Sequence, residues 1–287
     1  MRKIFCSIFL LAALLATWSL LIEPGWVRYK DHNIYVSNWP KELDGFTIAF
    51  ISDTHVGSPH ISLQKMQEIV DRTNALNPDL ILLGGDYVIQ DVVGGKRVAS
   101  KDIADAFSKL KAKHGVYGVL GNHDWWENAP RMKKELEDNG IIMLEDDSVQ
   151  IESNGKKFWL AGVTDYREGR HDIYKALANV TPQLPTIIFT HSPDIFPEVP
   201  TWVPLTIAGH THGGQVYIPF LGRPYCPSKY GQRYAKGLIR EEGKLLFVGT
   251  GIGTSIFPIR FMTPPEVSIL HIKPSPEKMM MLNLKAS

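Results

Sequence analysis

Asp79-Leu80-Ile81-Leu82-Leu83-Gly84-Gly85-Asp86 is the stretch that decides the fold. Its apolar residues, Leu80 to Leu83, predict a strand buried on both faces, as in a parallel sheet covered on each side. Gly84 and Gly85 break the run and let the backbone turn sharply. Asp86 is left at the carboxyl end of a buried strand, where open α/β sheets bind their ligands. Taken singly, such a carboxylate serves equally well to cap the next loop. Asp53-Thr54-His55, Gly121-Asn122-His123-Asp124, Thr190-His191-Ser192 and Gly209-His210-Thr211-His212 each follow a similar apolar run. Strand ends carrying Asp, Asn and His together supply the donors that a two-metal site needs.

The chain has 287 residues, 44% hydrophobic and 21% charged, enough to bury a full α/β core. The motifs spread from Asp53 to His212, which favours one large domain over two small ones. A formal net charge of +1 argues against a nucleic-acid binder driven by bulk charge, and no nucleic-acid partner is expected. Cys6 lies in the leading apolar run, so an internal disulfide with Cys226 is not expected, and cysteine usage does not fix the redox compartment.

Arg2 and Lys3 precede an apolar run from Ile4 to Ile22. As a helix this run spans roughly 28 Å, close to the hydrocarbon core of a bilayer. No small-x-small cleavage site follows it, which favours an uncleaved single-pass anchor over a signal sequence. Arg2 and Lys3 favour an inside amino terminus and a catalytic domain on the outer, periplasmic or extracellular, face. Arg28 and Lys30 after the run leave the cytoplasmic face open. Trp26 and Tyr29 are placed to sit at the interface.

Four segments are expected: an anchor over 1–24, a linker and edge strand over 25–45, one domain over 46–273 and a tail over 274–287. Residues 32–37 alternate weakly, as an edge strand does. Phe46 to Ser52 predicts a stronger strand. Ser62 caps a helix with apolar positions Leu63, Met66, Ile69, Val70, Thr73 and Leu76, and Pro78 ends it. The next strand, to Leu83, completes a βαβ unit, so the two strands should be parallel neighbours. A helix over 101–112, a strand over 116–120 and a helix from 125 to 138 follow. Short strands at 141–144, 149–151 and 157–163, the last two joined by Asn154-Gly155, open a second sheet. Strands at 186–190 and 205–208 deliver histidines, and strands from Leu245 and Val267 close that sheet.

Read from the residues alone, the polar set is Asp53, His55, Asp86, Asn122, His123, His191, His210 and His212. Mixed nitrogen and oxygen donors suit Mn²⁺, Fe, Zn²⁺ or Co²⁺, and no cysteine competes for a softer metal. A lone His-x-His is a weak signal, and any one buried histidine is as readily a hydrogen-bonded core residue. The order Asp-x-His, Gly-Asp, Gly-Asn-His-Asp, His and Gly-His-x-His, over Phe46 to about Val216, resembles the calcineurin-like metallophosphoesterases. The flanks Gly213-Gly214-Gln215, 227–234 and 251–255 further resemble the membrane-associated YaeI/YkuE-like branch.

That resemblance implies a four-layer αββα sandwich of two mixed β-sheets flanked by helices, here with an N-terminal transmembrane helix. It implies two divalent ions, Mn, Fe or Zn. Carried over by position, Asp53, His55, Asp86 and His212 would hold one ion and Asp86, Asn122, His191 and His210 the other, with Asp86 bridging. His123, next to Asn122, would face the substrate and protonate the leaving oxygen or stabilise the phosphoryl charge, and Asp124 would orient it. The activity implied is hydrolysis of phosphodiester or pyrophosphate bonds by a metal-activated hydroxide; the anchor points to lipid or envelope substrates, which a tethered enzyme meets at high effective concentration. A phosphomonoesterase or nucleotide phosphatase, or a non-catalytic scaffold, are the alternatives. Gly213 and Gly214 after His212 count against a His-x-His-x-Asp-His hydrolase. Arg223, Lys229 and Arg233, in the basic and aromatic segment after the last histidines, are candidates for substrate phosphate, as is Arg260. The anchor contributes no donor, so residues from about Trp39 onward are expected to form a self-sufficient soluble enzyme.

Overall fold

The computed structural model describes residues 1–276. The strands are β1 (Arg28–Val36), β2 (Phe46–Ile51), β3 (Leu80–Leu83), β4 (Val116–Gly118), β5 (Ile142–Met143), β6 (Asp147–Ser153), β7 (Lys156–Val163), β8 (Thr186–Thr190), β9 (Leu205–Ala208), β10 (Gly237–Glu241), β11 (Lys244–Val248) and β12 (Glu266–Pro274). The helices are α1 (Arg2–Thr17), α2 (Leu63–Ala75), α3 (Ser100–Phe107), α4 (Asn122–Asp138) and α5 (Ile173–Ala176). One mixed sheet runs β1-β12-β2-β3-β4-β5 and the other β10-β11-β9-β8-β7-β6.

Alternation of side chains along the strands builds the layers. Ile48 and Phe50 of β2 and Leu80 and Leu82 of β3 face the second sheet, where they meet Phe158, Leu160, Ile187, Phe189, Ile207 and Phe247. Ala49, Ile51, Ile81 and Leu83 face the other way, against Met66, Ile69 and Val70 of α2 and residues of α3 and α4. On the far side, Ala161, Val163 and Ile188 pack under α5 and the 3-10 helix at 193–198. The result is two facing mixed sheets with helices outside each.

The βαβ unit forms as its pattern requires. The Ser62 hydroxyl accepts from Lys65 N–H at the start of α2 (3.1 Å), and β2 and β3 pair in parallel. Asn154-Gly155 makes the β6–β7 turn with both residues at positive φ. Other readings change. β5 and β12 join the first sheet, not the second: β5 pairs with β4, and β12 lies between β1 and β2, antiparallel to β2. Apolar texture predicts a buried strand but does not name its neighbour. β10 was missed because Leu238 and Arg240 lie exposed on an edge strand without the core pattern. α3 ends at Phe107 rather than 112, since the Asn74 side chain binds Lys109 O (2.8 Å) and Lys111 N–H (2.8 Å) and replaces the helical partners. α4 begins at Asn122 and bends at Asn128, ahead of Pro130. The expected tail shifts too: Pro274 ends β12, and 277–287 lie outside the described residues.

α1 continues through a π-helical turn (Trp18–Ile22) into a 3-10 turn (Glu23–Gly25). Arg2–Gly25 is long and apolar enough to cross a membrane, and its outer part buries nothing against the sandwich.

Phe158 sits between the rings of Trp39 (5.0 Å between centroids) and Phe46 (5.2 Å) at the inter-sheet centre. Phe158→Ala should cost about 3–5 kcal/mol of stability. Chemical denaturation of variant and parent checks this, and a change within error would mean that the sheets do not depend on this contact.

Candidate metal centre

All the donor segments arrive at the carboxyl ends of central strands. Asp53 and His55 follow β2, Asp86 follows β3, Asn122 and His123 follow β4, His191 follows β8, and His210 and His212 follow β9. The turns are tight and strained. Asp53, His55, Asp86, His210 and His212 all have φ between 40° and 69°. Such conformations cost on the order of 1 kcal/mol or more for a non-glycine residue and concentrate at functional sites. Close approach explains the accompanying glycines. A Cβ on Gly121 would lie 2.3 Å from Asp86 Oδ1, and one on Gly85 (φ 85°) would lie 2.4 Å from Gly121 N.

Asp86 is the centre of the cluster. Its Oδ1 accepts from His123 N–H (2.8 Å). Its Oδ2 faces His191 Nε2 (3.2 Å), His55 Nε2 (3.7 Å) and His123 Nε2 (4.0 Å). His55 Nε2 is 3.1 Å from His212 Nε2, which is 3.5 Å from Asp53 Oδ1. On the other side His191 Nε2 is 3.0 Å from His210 Nδ1. Asp53 is held by His210 N–H, 2.9 and 3.0 Å from its carboxylate oxygens. His55 Nδ1 and His191 Nδ1 donate to Val88 O (3.0 Å) and Gly84 O (2.7 Å), which turns each Nε2 toward the cluster.

Three buried sets have donor atoms within 4.8 Å of one another: Asp53, His55 and His212; His55, Asp86 and His123; and Asp86, His191 and His210. The first and third share no residue, and the middle set joins them. Burial depresses the His55 pKa to about 3 and holds His210 and His212 well below the ordinary imidazole range, so their lone pairs are available. Burial pushes Asp53 up to about 6. Burial also opposes charging of Asp86 and His191, but their mutual attraction wins, holding Asp86 well below and His191 well above the usual values. Asn122 Oδ1 and His210 Nε2 are buried without a hydrogen-bond partner among the described residues. An unpartnered buried amide oxygen beside carboxylates and neutral imidazoles fits divalent ions.

A cavity of about 540 Å³ opens over this cluster. Asp86, Asn122, His123, His210 and His212 form its floor, and Trp126, Val216, Tyr225, Ile256, Phe257 and Ile259 its apolar walls. His123 packs against Trp126 (4.8 Å between ring centroids). Asp124, expected to orient His123, does something else. Its carboxylate accepts from the backbone N–H of Asp86 (2.8 Å), Tyr87 (2.9 Å), Val88 (3.3 Å) and Gly121 (2.9 Å), so it braces the Asp86 turn against α4.

None of the candidate phosphate cations lines the cavity. Arg223 Nε donates to Gly213 O (2.8 Å), Lys229 lies on the Tyr166 ring (4.3 Å), and Arg233 pairs with Glu241 (2.7 Å). Arg167 does line it and has no ion-pair partner among the described residues. It sits in a loop between Asp165 and Glu168 with no motif, so nothing in the sequence singled it out.

Arg260 is wholly buried and corrects another expectation. Its guanidinium donates to the carbonyls of Thr250 (2.9 Å), Gly251 (3.2 Å), Gly253 (2.6 Å) and Thr263 (3.0 Å). That loop in turn backs the first donor turn, with Gly253 N–H on Asp53 O (2.6 Å) and Ile252 N–H on Ser52 O (3.1 Å). The helix end is built into the same stack. Arg260 N–H donates to Ser19 O (3.0 Å), and the buried Glu23 carboxylate accepts from Trp18 Nε1 (2.6 Å), Met262 N–H (3.0 Å) and Thr263 N–H (2.6 Å). The segment read as an inert anchor therefore ends inside the support of Asp53.

Buried hydrogen bonds to a charged group contribute about 1.5–3 kcal/mol each. A chain starting at Trp18 should keep the parent unfolding midpoint, whereas one starting at Trp26 should melt clearly lower. Thermal unfolding of both forms checks this, and equal midpoints would show that the Glu23 junction carries no stability.

Residues 46–214 match the calcineurin-like phosphoesterase family. Uncharacterized metallophosphoesterase YkuE of Bacillus subtilis (strain 168) is 29% identical over 255 residues, 88% of this chain and 87% of that protein. Phosphodiesterase YaeI of Escherichia coli (strain K12) is 29% identical over 256 residues, 87% of this chain and 90% of that protein. A Danio rerio protein named transmembrane protein with metallophosphoesterase domain is 28% identical over 284 residues, 92% of this chain and 61% of that protein. With its matched region running from β2 through the last pair of histidines, the chain belongs to the calcineurin-like phosphoesterase family.

Proposed function

We propose that the protein is a membrane-anchored phosphodiesterase with two divalent ions, acting on phosphodiester or pyrophosphate bonds of lipid or envelope substrates. The observation that carries this reading is the Asp86 carboxylate, whose Oδ2 lies between His191 on one side and His55 on the other. Asp53, His55, Asp86 and His212 would hold one ion, and Asp86, Asn122, His191 and His210 the other. Mn, Fe or Zn suits this nitrogen and oxygen set. When bound, the ions supply Lewis-acid activation of water and of the phosphoryl oxygens.

The chain's own residues do the rest. His123, which lines the cavity, would give the leaving oxygen its proton. Asp124 keeps the Asp86 turn and the start of α4 in register, which fixes Asn122 and His123 together. Arg167, in place of Arg223, Lys229 and Arg233, would pair with a phosphoryl oxygen entering the cavity. The apolar walls fit an ester whose phosphate carries a hydrocarbon or aromatic group. The α1 helix supports anchoring, which brings such substrates within reach.

Asp86→Asn should weaken both ions and Asp53→Asn mainly one, read as metal content per chain after desalting. Two tightly retained ions in Asp86→Asn would sink the bridging role. His123→Ala should keep its metal. It should lose about 10²–10⁴-fold on an alkyl phosphodiester and much less on a nitrophenyl diester, whose nitrophenolate leaves without a proton. A uniform loss on both would assign His123 to phosphoryl charge instead, and loss of an ion would make it a ligand.

A further inference from the structure

Around the mouth of the cavity the surface is apolar and unpaired. Ile218 and Gly222 exchange backbone hydrogen bonds (2.8 Å each way) and close a hairpin tipped by Pro219, Phe220 and Leu221. Phe220 is fully exposed and Leu221 is 70% exposed. Phe220 also holds φ at 68°, a strained conformation for an aromatic residue. Ile256, Phe257 and Met262 lie exposed on the adjoining segment, and the first two also line the cavity. Exposed apolar groups gathered in this way mark an interaction surface.

The surface is continuous with the end of the apolar helix. Tyr217 N–H donates to Phe261 O (2.8 Å), Phe261 N–H to Gln215 O (2.9 Å), and Arg260 N–H to Ser19 O (3.0 Å). There is no free linker between the helix and this segment. A bilayer that holds the helix up to Ile22 must therefore lie within a few residues of Phe257 and Met262, roughly 10 Å of chain. Interfacial chemistry gathers at the same place. Trp18 and Trp26 meet edge to face (6.0 Å), Arg28 covers the Trp26 ring (3.9 Å), and Arg223 at the hairpin base covers Tyr217 (5.0 Å). Lys236 is exposed and lies close enough to Arg223 and Lys30 to feel their charge. Aromatic rings interleaved with cations suit an anionic headgroup layer.

We propose that Ile218, Phe220, Leu221, Ile256, Phe257 and Met262 form a second membrane contact, an apolar collar that dips into an anionic bilayer and holds the cavity mouth on its surface. This rests on α1 being a membrane helix, and it goes beyond anchoring: the site is turned toward the lipid, so a lipid-linked ester enters without leaving the interface. The cations at the rim make the contact stronger on anionic than on zwitterionic lipid.

The test uses the full chain reconstituted in phosphatidylglycerol-containing vesicles, with Cys6→Ser and Cys226→Ser as background. A polarity-sensitive fluorophore is attached at Phe220→Cys or, as a control on α5, at Tyr174→Cys. Brominated lipids should quench the label at 220 and not at 174, and the quenching should weaken in pure phosphatidylcholine. Equal, water-like signals at both sites would overturn the collar. In a second arm, Phe220→Ser/Leu221→Ser should lower turnover of a vesicle-borne long-chain phosphodiester several-fold and leave a soluble nitrophenyl diester unaffected. Unchanged turnover on vesicles, or equal loss on both esters, would count against it. Should the parent cleave neither ester, the phosphoesterase reading fails, while quenching still decides the collar on its own.

Discussion

A single carboxylate constrains this structure more than any other group. Asp86 must present Oδ2 to imidazoles from both sheets while Oδ1 is held by His123 N–H. That demand fixes the turn after β3, which needs Gly85 and Gly121 because the Asp86 and Gly121 turns are nearly in contact. It also requires a buried anion to be stabilised, through Coulomb attraction to neighbouring imidazoles and through Asp124 bracing the turn. The two facing sheets follow from the same demand. β2, β3 and β4 bring Asp53, His55, Asp86, Asn122 and His123, while β8 and β9 bring His191, His210 and His212. The set of Asp53, His55 and His212 and the set of Asp86, His191 and His210 each draw on both sheets.

Much of this was legible in the sequence because its causes are local. Apolar runs ending in glycine and a polar donor marked the ends of β2, β3, β4, β8 and β9, and the helical spacing from Leu63 marked α2. What stayed hidden was set by contacts distant along the chain. β12 reads like any buried strand, yet it pairs between β1 and β2 in the first sheet. Asp124 stands beside His123 in sequence, but the helix start turns its carboxylate toward the Asp86 turn. Arg233 and Arg260 looked alike as basic residues near the site. One is spent on Glu241 at the surface, and the other is buried among backbone carbonyls. Their placement follows from loop packing, which leaves no periodic trace.

The junction at Glu23 shows how far the apolar helix is merged with the two-sheet body. A charged residue at the end of an apolar helix usually meets water. Here the Glu23 carboxylate is buried on the amides of Met262 and Thr263, next to the turn that positions Arg260. Arg260 then holds the 250–253 loop behind Asp53. Helix end, loop and Asp53 turn form one hydrogen-bonded stack, so the direction of the apolar helix and the geometry at the site are set together.

The central claim is that Asp86 joins two ions into one centre. Loading the metal-free chain with Mn²⁺ and recording its electron paramagnetic resonance spectrum tests this most directly. Ions sharing a carboxylate at about 3.5–4 Å are magnetically coupled. The expected spectrum is that of an exchange-coupled pair at full loading, collapsing to an isolated-ion signal in Asp86→Asn. Six-line signals of uncoupled Mn²⁺ in the fully loaded parent chain would contradict a shared centre.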